Sequence, residues 1–351
     1  MEERLGVYSA VASTSLAAAT LSFEESVAGL AVRSLLREAE AAPKPGLVDR
    51  LGSGAHSDMD IGHFRASAGA LRPFFHALTE AGRELNSAGE ALDLDDARKL
   101  RNLGLEAERA MLEATGGVNT HKGAIWSLGL LSAAAGRLLE KSLTPSCGLV
   151  RYSAEALCDE AASLASALVG YTTPSAKRLS NGQRGALRYG LRSAQDEALQ
   201  AFPSIRALAL PMARSMRHVA FDVIVSTPGL DTTASKHFPI SAEDEMVILV
   251  LLAVMAHADD TCIVARGGIE ALANMRVAVR AILAARAEYR ASAWTAYQAL
   301  LREFSHKRLS PGGSADLCAA TLFLVDLEGQ MPNLSPARNG AVQPAARAIA
   351  R

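Results

Sequence analysis

The sequence has 351 residues, a formal net charge of −1, 49% hydrophobic residues and only 5% aromatic residues. A charge so near zero provides no global field that would attract nucleic acid or an acidic membrane surface, so we expect neither as a partner. Much of the apolar fraction is alanine and leucine, which favour helices, whereas strands favour β-branched and aromatic residues. Composition therefore predicts an all-α protein, and the length allows two domains or a single large multi-helix domain, of which we expect the single domain.

The ends of the chain and its cysteines predict a soluble cytoplasmic protein. The first residues lack the basic segment of a secretory signal, and the longest dense apolar run, residues 246–256, is too short to span a bilayer. We assign residues 1–21 to an N-terminal segment, 22–329 to the helical domain and 330–351 to a tail predicted to be disordered. No cysteine lies in a CxxC motif, which predicts free thiols in a reducing compartment; they are Cys147, Cys158, Cys262 and Cys318.

A first helix is predicted to begin at a capping box formed by Ser22 and Glu25 and to end before Pro43. The segment 43–60 is rich in proline and glycine, which predicts a loop with fixed turns. This loop carries many charged or ionisable side chains: Lys44, Asp49, Arg50, His56, Asp58 and Asp60.

Asp58 and Asp60 stand two residues apart near the end of this loop. A loop backbone can aim two such carboxylates at one cation, and Mg²⁺ typically takes one or two carboxylates with water and phosphate in its other positions. The commoner explanation of such a pair is that one carboxylate caps the helix that follows. Both interpretations stay open from the sequence.

Two further helices are predicted around the next polar turn. A helix from about residue 61 to 81 bends at Pro73, residues 82–94 form a polar linker, and a helix covers 95–115. After Gly116 and Gly117 an apolar helix covers 120–140. Free N–H groups and the positive dipole end at a helix start attract phosphate, although an ordinary capped turn would use the same residue types. The polar residues at this start are Asn119, Thr120, His121 and Lys122.

A basic segment follows a predicted helix over 149–169. Asn181 and Gly182 indicate a turn, and Arg184, Arg188 and Arg192 would share one face of the next helix. Such a row either faces phosphate or forms a solvated surface, and the solvated surface is the commoner case. Another helix is predicted over 204–219, before a loop over 228–239.

The most hydrophobic helix, residues 246–256, is predicted to be capped by Ser241 and Asp244 and to end at a turn containing Asp259 and Asp260. Paired acids after a buried helix are costly unless they are compensated, so we expect a metal or Arg266 as their partner. An Asp–Arg pair that merely ties the turn is the structural alternative.

The last apolar helix is preceded by a glycine-rich turn. Ser310, Gly312, Gly313 and Ser314 could form a phosphate cradle there, although the P-loop pattern is absent. Polar turns thus separate the long apolar helices, and we expect them to converge on one cleft. These turns cover residues 44–60, 116–122, 181–197, 257–268 and 310–316.

Taken together, these turns resemble the signature of triphosphoribosyl-dephospho-CoA synthases over roughly residues 25–325. The resemblance implies an all-helical pentosyl transferase that moves the triphosphoribosyl unit of ATP to the ribose 2′-hydroxyl of 3′-dephospho-CoA and releases adenine. The motifs are KPGLVDR (44–50), GAHSDMD (54–60), GVNTHKG (117–123), Asp260-Thr261, RGG (266–268) and LSPGGSADL (309–317).

The product of this family is the precursor of the prosthetic group on an acyl-carrier subunit. GAHSDMD followed by SAGALRPFF (67–75) is more similar to the branch that serves malonate decarboxylase than to the branch that serves citrate lyase. Glu38 also matches the family. Two residues depart from it: Cys262 stands where asparagine is frequent, and Ala201 stands where glycine is usual.

The chemistry implied by the resemblance suggests roles for the matching residues. Loss of adenine builds positive charge on the ribose. The triphosphate must also be neutralised, for which Lys44, Lys122 and Arg266 are candidates, with Mg²⁺ on Asp58 and Asp60. Asp260 or Asp316 could deprotonate the acceptor hydroxyl, and His121 or His56 could protonate adenine. The residues assigned to substrate binding are Glu38, Lys44, Asp49, Asn119, Thr120, Lys122, Arg184, Arg266, Ser310, Gly312, Gly313 and Ser314.

Two other functional classes remain open from the sequence. A Mg²⁺-dependent nucleotide or ADP-ribosyl hydrolase could also place acidic residues in loops between helices. A helical adaptor without chemistry would not need charged groups concentrated in glycine-rich turns. The sequence leaves the oligomeric state open, with a homodimer as one candidate.

Overall fold

The computed structural model describes residues 21–85, 92–143, 152–170, 181–216, 240–288 and 290–334. Within these ranges the regular elements are helices, with one isolated β-bridge between Asp49 and Gly52. The predicted all-α fold is confirmed. No helix within these ranges combines the length and apolar character needed to cross a membrane.

Outside a helical segment over 203–216, which contains a π-helical turn at Ile205–Ala209, the described residues form eleven α-helical elements, the ninth of them kinked at Gly268. They are α1 (Phe23–Glu40), α2 (Ile61–Glu84), α3 (Leu94–Ala114), α4 (Lys122–Leu143), α5 (Ala154–Gly170), α6 (Asn181–Tyr189), α7 (Ala194–Leu199), α8 (Ala242–Met255), α9 (Thr261–Glu288), α10 (Arg290–Lys307) and α11 (Gly312–Leu334).

Helix α8 is the centre of the core. Its residues from Val247 to Met255 are fully buried, and α9, α11 and the π-helical turn pack around it. The helix is apolar on every face, which is expected of a helix that other elements surround. Its start is fixed as predicted, because the Ser241 side chain accepts a hydrogen bond of 3.0 Å from the Asp244 N–H.

The first half of the chain packs α2 against α1, α3 and α4. A Cβ atom at Gly82 of α2 would overlap the backbone of Ala133, and one at Gly136 of α4 would overlap the backbone of Thr79. Glycine at both positions therefore lets the two helix backbones approach closely. Helix α2 continues through Pro73 to Glu84, so part of the predicted linker 82–94 is helical.

Several predicted boundaries were wrong for local reasons. Asn181 and Gly182 begin a helix instead of forming a turn, and Gly190 then adopts a φ of 66°, which separates Arg192 from α6. Helix α11 continues to Leu334, past the predicted start of the tail at 330. Cys147, the loop 228–239 and the remaining tail 335–351 lie outside the described residues, whereas the other three cysteines are unpaired as predicted.

Among the described residues, Ala201 is one of three other than glycine with a positive φ, at 56°. The left-handed conformation costs a residue with a Cβ about 1–2 kcal/mol, and glycine avoids this cost. This geometry explains why glycine would suit the position where the sequence departs from the family it resembles.

We expect Ala201→Gly to raise the free energy of unfolding by about 1 kcal/mol, because it relieves the left-handed strain. Urea denaturation of the purified protein measures this change. Ala273, exposed within α9, provides the matched control, since Ala273→Gly should lower stability by about 1 kcal/mol. Equal destabilisation by the two substitutions would contradict the explanation.

Candidate active site

All five predicted polar turns contribute residues to a cavity of about 590 Å³, the turn 181–197 only through Ser193, Ala194 and Gln195. Helices α4, α9 and α11 all begin at its wall, with Lys122, Thr261 and Gly312 as their first residues. The turns therefore converge on one cleft as predicted, although Asp58 and Asp260 do not line this cavity. The predicted site residues that line the cavity are Glu38, Lys44, His56, Asn119, Thr120, His121, Lys122, Arg266, Ser310, Gly312, Gly313 and Asp316.

A buried ion pair lies on one wall of the cavity. The ammonium group of Lys44 donates to the Glu38 carboxylate at 2.7 Å, and it also donates to the Glu38 carbonyl oxygen. Both residues are buried, and this burial raises the pKa of Glu38 although the Lys44 charge opposes the change. Because the Lys44 ammonium group contacts the Glu38 carboxylate directly, its charge is largely neutralised before any substrate arrives.

Asp49 holds the loop that carries Lys44. Its carboxylate accepts hydrogen bonds from the N–H groups of Lys44, Leu51 and Gly52 at 2.9, 2.7 and 3.1 Å. Asp49 does not line the cavity, so the structure places it in support of the loop.

His121 is buried at the start of α4. Its Nδ1 atom lies 2.7 Å from the Ser67 hydroxyl, and its Nε2 atom is buried without a hydrogen-bond partner. Burial lowers the pKa of His121 to about 3, with a smaller contribution from Lys44, so the imidazole is neutral near neutral pH. The buried hydroxyl of Thr120 also lacks a partner. Both groups can form hydrogen bonds to a ligand, but His121 is a poor proton donor.

His56 joins the first loop to the turn before α11. Its Nε2 atom lies 2.9 Å from the Ser310 hydroxyl, and its Nδ1 atom lies 3.4 Å from the Arg266 guanidinium. Burial and the nearby Arg266 charge lower the pKa of His56. Arg266 also donates to the carbonyl of Arg308 at 3.1 Å, so it ties two turns together at the cavity rim.

Asp260 connects the starts of two helices. One carboxylate oxygen accepts the N–H groups of Cys262 and Ile263 at 3.0 and 3.1 Å, and the other accepts the N–H and hydroxyl of Ser314, both at 2.7 Å. The expectation that Arg266 or a metal compensates this acid was wrong as regards Arg266, because backbone and hydroxyl donors compensate it. Asp259 instead pairs with Arg276 and Arg192.

Burial raises the pKa of Asp260, although these four hydrogen bonds oppose the change. Asp260 is 2% exposed and lies behind the main cavity, beside a smaller cavity of about 60 Å³. Ser314 is committed to Asp260 and does not line the main cavity either. The geometry thus suits Asp260 and Ser314 to holding the cavity wall in place.

Asp316 is the carboxylate that faces both cavities. Burial, together with the charges of Glu38 and Asp260, raises the pKa of Asp316 well above its ordinary value, while the N–H of Ala124 opposes the change. A Cβ atom at Gly123 would overlap this carboxylate. Glycine in the first turn of α4 therefore allows the acid to approach the helix start.

The remaining predicted residues lie apart from the cavity. The Asp60 carboxylate caps α2 by accepting the His63 N–H at 3.2 Å, as the alternative interpretation anticipated. Asp58 is 64% exposed and lies 3.6 Å from His56. Arg184 is exposed on α6, away from the cavity wall. No cluster of three or more metal-ligating side chains occurs among the described residues.

Sequence reasoning missed several residues that shape the site. Ser67 orients His121, and Phe64 packs edge-on against the same imidazole with ring centroids 5.0 Å apart. Trp126 follows Lys122 by four residues and so lies on the same helix face, a spacing that could have indicated it. Glu108 pairs with Lys122 at 2.6 Å across the space between α3 and α4, a contact that no local pattern reveals.

We expect Asp260→Asn to lower the free energy of unfolding by about 1–3 kcal/mol. An amide can present only one oxygen, so at least one of the buried N–H groups would lose its acceptor. Chemical denaturation measures the effect. Asp159→Asn is the matched control, because that aspartate is 62% exposed in a surface pair with Arg206 and its loss should cost about 1 kcal/mol or less. Equal stability of the two variants would contradict the clamping role of Asp260.

The sequence matches the family described as ATP:dephospho-CoA triphosphoribosyl transferase over residues 24–334. Curated relatives named probable 2-(5''-triphosphoribosyl)-3'-dephosphocoenzyme-A synthase occur in several bacteria. The relative from Azotobacter vinelandii is 40% identical over 88% of this chain and 93% of its own length. The relative from Pseudomonas syringae pv. syringae is 36% identical over 91% of this chain and 96% of its own length.

No solved structure matches the chain significantly. The family match covers the described helices from α1 to α11, and it includes every residue of the cavity wall. By the extent of this match and the identity to its relatives, the chain belongs to the ATP:dephospho-CoA triphosphoribosyl transferase family.

Proposed function

We propose that this protein transfers the triphosphoribosyl group of ATP to the ribose 2′-hydroxyl of 3′-dephospho-CoA and releases adenine. The bond between C1′ and the adenine nitrogen breaks, and a bond forms between C1′ and the acceptor oxygen. The acceptor hydroxyl loses one proton and the departing adenine nitrogen gains one, so the transfer balances. Family membership supports the reaction class. The geometry of the cavity supports a role for particular residues in it.

The observation that carries the proposal is the meeting of three helix starts at one cavity. The N-terminal ends of α4, α9 and α11 all lie on its wall. Each end carries a partial positive charge and N–H groups. Asp260 already accepts the N–H groups of Cys262, Ile263 and Ser314, and the remaining ones are suited to bind phosphate. A cavity of about 590 Å³ also has the size of a small-molecule site.

Two exposed cations stand at the rim of this cavity. Lys122 is 57% exposed and pairs with Glu108, and Arg266 is exposed, whereas Lys44 is buried against Glu38. We assign the triphosphate to the helix starts with Lys122 and Arg266 beside it. The ion pair of Lys44 and Glu38 forms a polar part of the cavity wall that would contact the substrate.

We assign the general base to Asp316. A carboxylate whose pKa is raised by burial is a stronger base near neutral pH than an ordinary one. Asp316 faces the cavity, whereas Asp260 is fully engaged in hydrogen bonds behind it. His121 and His56, both with lowered pKa values, act as neutral hydrogen-bonding groups for the adenine or a phosphate.

Mg²⁺ bound to the triphosphate would supply further charge neutralisation. Mg²⁺ usually keeps several waters and takes one or two protein carboxylates. Of the two predicted ligands, Asp58 is the better fit, because it is exposed beside His56, which lines the cavity. Asp60 fits less well, since its carboxylate already caps α2.

We assign the product to the malonate decarboxylase pathway as the precursor of its acyl-carrier prosthetic group. The resemblance of segments 54–60 and 67–75 to that branch supports this assignment. Ser67 of the second segment orients His121, which gives the segment a function in the site. We also propose that the protein forms a homodimer. Transfer of the product to the carrier subunit of malonate decarboxylase, in preference to that of citrate lyase, would test the branch.

We expect adenine to form only when ATP, 3′-dephospho-CoA and a divalent cation are all present. The acceptor oxygen must displace adenine, so omission of dephospho-CoA should abolish its release. Chromatography of the products, with a chelator in a parallel reaction, measures this dependence. Adenine, or ADP with phosphate, formed without the acceptor would favour the nucleotide hydrolase. An absence of both turnover and ATP binding would favour the adaptor.

We expect Asp316→Asn to lower kcat by a factor of about 100 or more, because it removes the general base. Its free energy of unfolding should not fall, since a neutral amide is less costly to bury than a carboxylate. The plot of kcat/KM against pH should also lose its rise with pH in this variant, whereas Asp260→Asn should keep that rise. If Asp260→Asn lost the rise and Asp316→Asn kept it, Asp260 would be the general base instead.

A further inference from the structure

A second, mostly apolar groove adjoins the cavity. It has a volume of about 220 Å³ and lies between α3, α4 and α5. Leu100, Gly104, Leu105, Ile125 and Leu168 are among its apolar wall residues. We call this space the side groove.

The side groove shares a wall with the main cavity. Three residues line both spaces, namely Glu108, Trp126 and Gln195. Lys122 pairs with Glu108 at 2.6 Å, so a cation stands at the junction of the two spaces. The indole N–H of Trp126 donates to the carbonyl of Ala194 at 3.1 Å, which fixes the ring between them.

The chemistry of the acceptor explains why such a groove is needed. In 3′-dephospho-CoA, a pantetheine arm extends from the diphosphate of an ADP unit. If the ribose hydroxyl reaches Asp316 inside the cavity, the long arm must leave the cavity beyond the diphosphate. The arm is mostly aliphatic with two amide groups, which suits an apolar groove bordered by a few polar side chains.

We propose that the side groove binds the pantetheine arm of 3′-dephospho-CoA and gives the enzyme its preference for this acceptor over ADP. The inference rests on the proposed transfer reaction for its substrate. It adds to that reaction a binding subsite formed by α3, α4 and α5.

Gly104 offers a direct test because a side chain there would enter the groove. A Cβ atom added at Gly104 meets no atom within 4 Å, and leucine favours a helix more than glycine does. Gly104→Leu should therefore fold and fill the groove. Gly69→Leu is the matched control, because Gly69 is an exposed helical glycine with equally open surroundings and lines neither space.

We expect Gly104→Leu to lower the affinity for dephospho-CoA by at least about tenfold, so that it equals the affinity for ADP. Calorimetry measures both affinities. Binding of ADP, and the KM for ATP, should stay as in the unsubstituted protein and in Gly69→Leu. Leu105→Glu is a second variant at a position that is 41% exposed, where a charge is tolerated in the fold. It should weaken binding of dephospho-CoA in the same selective way.

The proposal is overturned if both variants bind dephospho-CoA normally, or if the unsubstituted protein binds dephospho-CoA and ADP equally. It is also overturned if Gly104→Leu changes the molar mass in light scattering but not binding, since the groove would then be covered by a second copy. Binding is measured without turnover. A selective loss of binding in a protein that releases no adenine would therefore support the groove while contradicting the proposed reaction.

Discussion

The carboxylate of Asp260 is the constraint on which the cavity wall depends. It stands five residues beyond the end of the most buried helix, and it accepts hydrogen bonds from the first residues of both α9 and α11. A buried charge without partners would be costly, but the positive ends of two helices and four donors compensate it. One acid thereby couples the buried core to two of the three helix starts at the cavity.

The same arrangement determines how charge is distributed around the cavity. Lys44 is paired with Glu38, and the Asp260 carboxylate is occupied by helix N–H groups and the Ser314 hydroxyl, so neither presents a free charge to the cavity. The N–H groups that Asp260 does not engage, together with Arg266 and with Lys122, which pairs with Glu108, are left to attract an anion. Because fixed dipoles need no reorganisation when charge develops, they suit a reaction in which a triphosphate must be held still.

Much of the fold follows from local patterns in the sequence. Apolar periodicity and caps predicted the buried helix α8 and its start at Ser241, because these signals act within a few residues. Contacts between distant residues were not predictable in this way. Asp260 and Ser314 are 54 residues apart, and the pairing with Arg266 failed because nearness in sequence does not determine which donors meet a buried acid. Gly190 likewise removed Arg192 from the predicted row by adopting a positive φ.

The family motifs acquire different physical meanings once the contacts are known. Some motif residues face the cavity, as His121 and Asp316 do, while Asp49 and Ser314 hold the turns that carry them. The motif glycines, too, either shape the cavity or let the turns pack together. Gly123 admits the Asp316 carboxylate, and a Cβ atom at Gly46 would overlap the backbone of Leu309, so this glycine lets the first loop contact the turn before α11. A motif residue is thus as informative about how the turns pack together as about which groups meet the substrate.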